Sequence, residues 1–187
     1  MKILKIIGFV ILGILIFLFA AFNFIKYQTK KISPQAKVLF EKNENGKDVK
    51  ITVEYSRPYK KGRKIFGGLV PFGEVWRTGA NEATVFNTTS DLKVGSNTLP
   101  AGKYTLWTIP AEDSWTVIFN KKDYLWGIGD KGKASRDPQF DALEIKVPVE
   151  KLDKVVEQFE IQVIEKPEFK MSLAWDQTQV SVPFQLK

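Results

Sequence analysis

The sequence predicts an all-β domain, an antiparallel β-sandwich or barrel-like fold of about nine or ten strands, preceded by one N-terminal transmembrane helix. Three observations predict it. Residues 6–25 form an apolar run in which Asn23 is the only strongly polar side chain. Beyond residue 32, apolar side chains recur at every second position in short segments divided by turn residues, the spacing that puts one face of a strand against a core. No long amphipathic helical stretch separates those segments, so a parallel sheet built on crossover helices is not expected.

The apolar run is the first element. A helix of about 20 apolar residues crosses the hydrocarbon core of a bilayer. The run exceeds the roughly 7–15-residue apolar region of a cleavable signal. Ala20-Ala21-Phe22 offers no small-x-small cleavage site, and the chain has no cysteine for lipid attachment. Residues 1–31 are therefore read as an uncleaved anchor that meets the membrane through residues 6–25, and residues 32–187 as one β domain. Lys2 and Lys5 flank one side of the run and Lys26, Lys30 and Lys31 the other; positive charge alone does not set the orientation.

Residues 37–42 and 47–55 are the first two strands. In the second, Val49, Ile51, Val53 and Tyr55 fall on one face and Lys50, Thr52 and Glu54 on the other. Asn43-Glu44-Asn45-Gly46 joins them as a hairpin. Segments 83–88, 92–94, 103–109, 115–121 and 143–147 continue the pattern, with Gly-Ser-Asn, Pro-Ala-Gly and Ala-Glu-Asp-Ser turns between them. Three closing strands are marked by Phe159, Ile161 and Val163, by Phe169, Met171, Leu173 and Trp175, and by Val180, Val182, Phe184 and Leu186.

Composition excludes several function classes. The net charge is +7, but five of the 28 basic residues flank the apolar run and all 21 acidic residues lie beyond it, leaving 23 against 21 in the domain. That balance gives no broad basic face for nucleic acid. With no cysteine and no histidine, the chain has no thiolate or imidazole metal site, no Ser-His-Asp triad and no histidine switch. No metal, cofactor or catalytic residue is assigned.

Three motifs resemble chemistry. Gly127-Ile-Gly129-Asp-Lys-Gly132 matches the dinucleotide fingerprint, yet the residues after it, with Pro138, lack a helical apolar period, so a surface loop is expected. Ser90-Asp-Leu-Lys93 matches S-x-x-K, whose two functional groups meet only on a helix; here it reads as a turn entering a strand. Glu74 and Glu82 are a candidate acid–base pair for a hydrolase that needs neither histidine nor metal, or they neutralise Arg77 and Arg57 inside the loop.

The most informative segment is 55–85. The chain has 24 lysines and four arginines, and Arg57, Arg63 and Arg77 all fall here. Residues 57–82 hold six basic side chains against two acidic ones. Clustered arginines in a lysine-rich chain point to positions needing a planar, bidentate donor, which suits carboxylates, phosphates or aromatic faces. Arg57, Arg63, Trp76, Arg77, Asn81 and Glu82 are the ligand-binding candidates, for an anionic or carbohydrate ligand. Trp107 and Trp126 are further possible stacking surfaces, while Trp115 and Trp175 are expected in the core. A carboxylate-based hydrolase and a purely structural loop are the alternatives.

Specific strings carry a family resemblance. They are Tyr55-Ser56-Arg57-Pro58, Gly62-Arg63-x-Ile65-Phe66-Gly67 and Leu69-Val70-Pro71-x-Gly73-x-Val75-Trp76-Arg77-Thr78-Gly79-Ala80-Asn81-Glu82-Ala83-Thr84. Further on come Leu99-Pro100-Ala101-Gly102-x-Tyr104-x-Leu106, Ile109-Pro110, Trp115-Thr116-Val117-Ile118-Phe119-Asn120, Trp126-Gly127 and Trp175. With these the chain resembles the bacterial domain of unknown function 2911 over nearly all of residues 33–187. The resemblance implies a mostly β domain, an envelope location outside the cytoplasm and no established activity. The segment after Trp126-Gly127 departs from the family's aromatic-Asp pattern.

Overall fold

The structure is a computed structural model that describes residues 2–44, 46–124, 126–129 and 132–186. It divides into two compact units, residues 1–32 and 33–187.

The first unit is one helix, α1 (Lys2–Ile32). Over Lys5–Ile32 it is long and apolar enough to cross a membrane, compatible with a signal anchor or a single span. The one strongly polar side chain of its apolar run is satisfied within the helix: Asn23 Nδ2 donates to the Phe19 carbonyl at 2.8 Å, as a polar group in an apolar span requires.

The second unit is all β and antiparallel, with strands β1 (Gln35–Glu44), β2 (Lys47–Ser56), β3 (Thr84–Thr88), β4 (Leu92–Val94), β5 (Asn97–Leu99), β6 (Gly102–Pro110), β7 (Ser114–Asn120), β8 (Asp141–Ile164), β9 (Lys170–Pro183) and β10 (Gln185–Leu186). Seven form one sheet in the order β1-β2-β3-β6-β7-β8-β9, and β10-β4-β5 form a small second sheet. The β1–β2 hairpin pairs without a break from Gln35↔Ser56 to Glu44↔Lys47. Asn45 of its turn lies outside the described residues; Gly46 takes φ 80°, and its N–H donates to Asn43 Oδ1.

The large sheet curls back on itself. Residues just after β2 pair with the far half of β8: Lys60 N–H donates to the Glu157 carbonyl at 2.7 Å and Phe159 N–H to the Pro58 carbonyl at 2.9 Å. Tyr55 reinforces the seam, its hydroxyl accepting from Ile161 N–H at 2.9 Å and donating to the Ile161 carbonyl at 3.4 Å. Inside the curl, Ile51, Val53, Phe86, Leu106, Val117, Phe119, Phe159, Leu173 and Trp175 share one core, to which the small sheet adds Leu92, Val94 and Leu99. A second cluster of Ala83, Trp107 and Ile118 packs with Val75, Tyr124 and Ala134.

The strand boundaries differ from expectation in three places. Segments 143–147 and 159–163 are parts of one 24-residue strand, β8, whose pairing with β9 shifts between Lys151 and Val156 and again before Glu160. The two closing strands are nearly one: β9 runs through both, and only Gln185–Leu186 separates as β10. Residues expected as a Gly-Ser-Asn turn continue into the three-residue strand β5.

Candidate functional site

Residues 57–83 connect β2 to β3, and their polar side chains mostly bond to backbone. Arg57 Nε donates to the Phe159 carbonyl at 3.1 Å, and its guanidinium lies 3.9 Å from Glu160. Arg63 donates to the Lys60 carbonyl at 3.0 Å and to the Tyr59 carbonyl. Arg57 therefore fastens the loop to β8, while Arg63 ties the loop to itself.

The segment 76–84 is held more tightly. Trp76 and Thr108 exchange two backbone hydrogen bonds, at 2.7 and 3.0 Å. Thr78 and Asn81 both adopt left-handed φ, 56° and 60°, which non-glycine residues take only where surrounding contacts impose it. Those contacts are present. Thr84 Oγ1 donates to the Thr78 carbonyl at 2.6 Å, and the buried Asn81 amide donates to the Ser33 carbonyl and to Ser56 Oγ. Gly79 has φ 146°, and a Cβ there would sit 2.9 Å from the Ser56 carbonyl oxygen.

Trp76 and Trp107 do not offer free faces for stacking. Trp76 packs parallel to Trp175 at 5.9 Å and edge-on to Phe66, Trp115 and Phe159, and its indole N–H donates to the Gly79 carbonyl. Trp107 is fully buried beneath Tyr124. Trp126 is half-buried, and Trp115 and Trp175 are core residues as expected.

Arg77 stands apart. It lines a cleft of about 160 Å³ with Leu69, Val75, Trp76, Gly127 and Ala134, with the Glu74 carboxylate also on its wall. Gly127 lies directly against the arginine stem: a Cβ there would come within 2.2 Å of Arg77 Cδ. The Asn81 carbonyl accepts from Gly127 N–H at 3.2 Å, pinning that contact. Arg77 Nε is buried without a hydrogen-bond partner, and burial lowers the guanidinium pKa from its ordinary value. Glu82 lines a different cleft, of about 460 Å³, with Glu54, Lys103, Asp123 and Tyr124. The six candidate residues thus do not converge on one pocket.

A family model described as protein of unknown function, DUF2911, matches residues 33–184. The chain belongs to the DUF2911 family. No curated protein and no solved structure matches it.

Other expectations within the DUF2911 domain are corrected by its geometry. Glu74 and Glu82 line separate clefts and so are not arranged as a pair around one bond. The acidic neighbour of Arg57 is Glu160 rather than Glu82. The bidentate arginine is Arg136, outside the loop: its Nε and one terminal nitrogen grip the Asp141 carboxylate, and that nitrogen also reaches Glu144 at 3.0 Å. This pairing holds the Arg136 pKa above its ordinary value. Ser90 lies in a bend that enters β4, and Lys93 is exposed on that strand. Asp130 and Lys131 of the glycine motif lie outside the described residues. Among the described residues the helical element that follows that motif is a three-residue 3-10 turn, Pro138–Phe140, and no group of three or more acidic residues is placed to hold a metal ion.

One cleft was not anticipated. It has a volume of about 330 Å³ and lies where the loop residues Phe66 and Phe72 meet Trp115, Lys151, Asp176 and Thr178. Asp176 has φ 56° inside β9, at the shift in pairing with β8. The polar run Asp176-Gln177-Thr178 between Trp175 and Val180 was its one sequence signal, and it reads equally as a turn.

Proposed function

We propose that the DUF2911 domain is a non-catalytic binding module whose site is the Arg77 cleft, and that the ligand presents a carboxylate or phosphate group there. The observation that carries this reading is the buried Arg77 Nε without a protein acceptor. An anion seated on the guanidinium supplies that acceptor and offsets the desolvation that lowers the arginine's pKa. The cleft's small volume suits an anionic end group rather than a whole sugar. A structural reading has support of its own, because Arg57, Arg63 and Asn81 all spend their donors on backbone or neighbouring hydroxyl groups. The separation of Glu74 from Glu82 leaves the hydrolase reading without an acid–base pair.

The test is a thermal-shift series on the full chain in detergent, with acetate, inorganic phosphate and sugar phosphates against chloride at matched ionic strength. A ligand that binds only the folded state raises its stability, so the expected result is an anion-specific rise in Tm that Arg77→Ala abolishes. Equal response of wild type and Arg77→Ala would favour the structural reading.

We also place the domain outside the cytoplasm, anchored by α1. The expected outcome is digestion of the domain by protease added to intact spheroplasts; protection would put it on the cytoplasmic side.

A further inference from the structure

The second cleft differs in chemistry from the Arg77 site and does not depend on it. Trp115, one of the residues lining it, is 1 % exposed, and its indole N–H has no acceptor within the protein. The other three tryptophans of the core each donate: Trp76 to Gly79, Trp107 to Thr105 and Trp175 to Glu157. A buried indole N–H ordinarily finds a partner, so this donor marks a place for an oxygen acceptor. The walls add exposed Phe72 and half-buried Phe66 as apolar faces, and Lys64, Lys151, Glu112 and Asp176 also line the cleft. Lys60 also bridges Asp176, at 3.6 Å.

The break in β8–β9 pairing builds the opening. Between Lys151 and Val156 the two strands lose register, and Asp176 takes its left-handed conformation there. Bulges of this kind re-aim side chains and recur beside binding sites, and a strained non-glycine backbone persists where its surroundings hold it.

From this combination we propose that the cleft binds a neutral sugar ring. Aromatic faces take the C–H face of a pyranose. Lysines, carboxylates and Thr178 together offer donors and acceptors to hydroxyls, and the Trp115 N–H donates to one ring substituent oxygen. The near balance of charge disfavours a carboxylate or phosphate as the principal ligand. A volume of about 330 Å³ lies at the small end of ligand pockets, which suits one ring rather than a polymer segment.

The test uses the full chain in an amine-oxide detergent, which carries no sugar headgroup. Glucose, galactose, mannose and N-acetylglucosamine are the probes, read by saturation-transfer NMR, with the acyclic polyol sorbitol as control. The expected result is transfer to ring protons of at least one pyranose but not to sorbitol, at an affinity of about millimolar. Phe72→Ala, on an exposed side chain, is expected to weaken that binding roughly tenfold, and Trp115→Phe to weaken it with the far-UV spectrum kept. Inorganic phosphate is expected not to displace the sugar. No transfer to any of the four sugars would overturn the inference. So would transfer unaffected by Phe72→Ala, or displacement by phosphate, which would assign the signal to an anion site.

Discussion

Tyr55 shows how one side chain closes a sheet. Its hydroxyl both accepts from and donates to the backbone of Ile161, more than a hundred residues away. Tyr55→Phe leaves that N–H and carbonyl without these bonds, an expected cost of about 1–3 kcal/mol by urea denaturation. Burial raises the Tyr55 pKa above its ordinary value, with a direct consequence for pH. The unfolded chain releases this proton near pH 10 while the folded chain keeps it, so the contribution is intact below about pH 10 and falls as pH rises through the folded pKa. Tyr104 is raised for the same first cause, with Asp91 adding to it. Stability is therefore expected to fall above about pH 10, less steeply in Tyr55→Phe; equal slopes would remove Tyr55 from the explanation. The arginines give a second test at this scale. Arg136→Lys loses a part-buried bidentate grip and is expected to cost about 1–3 kcal/mol, more than Arg57→Lys, whose one backbone bond a lysine can imitate. A larger loss for Arg57→Lys in chemical denaturation would reverse that ranking.

At the scale of elements, the strands were legible wherever alternation held. Val49, Ile51, Val53 and Tyr55 are all buried, as are Phe159 and Ile161. What misled was continuity. The β9 residues in the main core are Met171, Leu173 and Trp175, then Val180 and Val182, a phase change that a bulge produces without ending a strand. Nothing in the composition separates that from a turn. The loop's importance was legible from its arginines, but their targets were not, because Phe159, Glu160 and Gly127 lie far off in sequence and meet them only through the curl. Gly127 carries the element-scale prediction. Its bare Cα lets the 126–129 segment rest on Arg77, and Gly127→Ala must displace one or the other, at an expected cost of about 1–3 kcal/mol. The same substitution is expected to reduce the Tm response to anions. An unchanged urea midpoint would mean that the two segments separate freely.

At the scale of the whole molecule, the core of residues 33–187 is supplied by its own strands, from β2 to β9. A chain shortened to begin at residue 33 is expected to be soluble, with a cooperative thermal transition, and the full chain is expected to partition with membranes through α1. Aggregation of the shortened chain, measured by size-exclusion chromatography and circular dichroism, would contradict an independently folding domain. The central claim rests on one nitrogen atom, and the chain's having only four arginines makes that atom observable. The most direct measurement is a 15N NMR titration of the arginine Nε–H groups, assigned by single Arg→Lys variants, with phosphate and acetate. The Arg77 Nε–H resonance is expected to move downfield and its solvent exchange to slow saturably, while those of Arg57, Arg63 and Arg136, already bonded to protein acceptors, stay in place. An Arg77 resonance unmoved by every anion, or four arginines shifting alike, would contradict that claim.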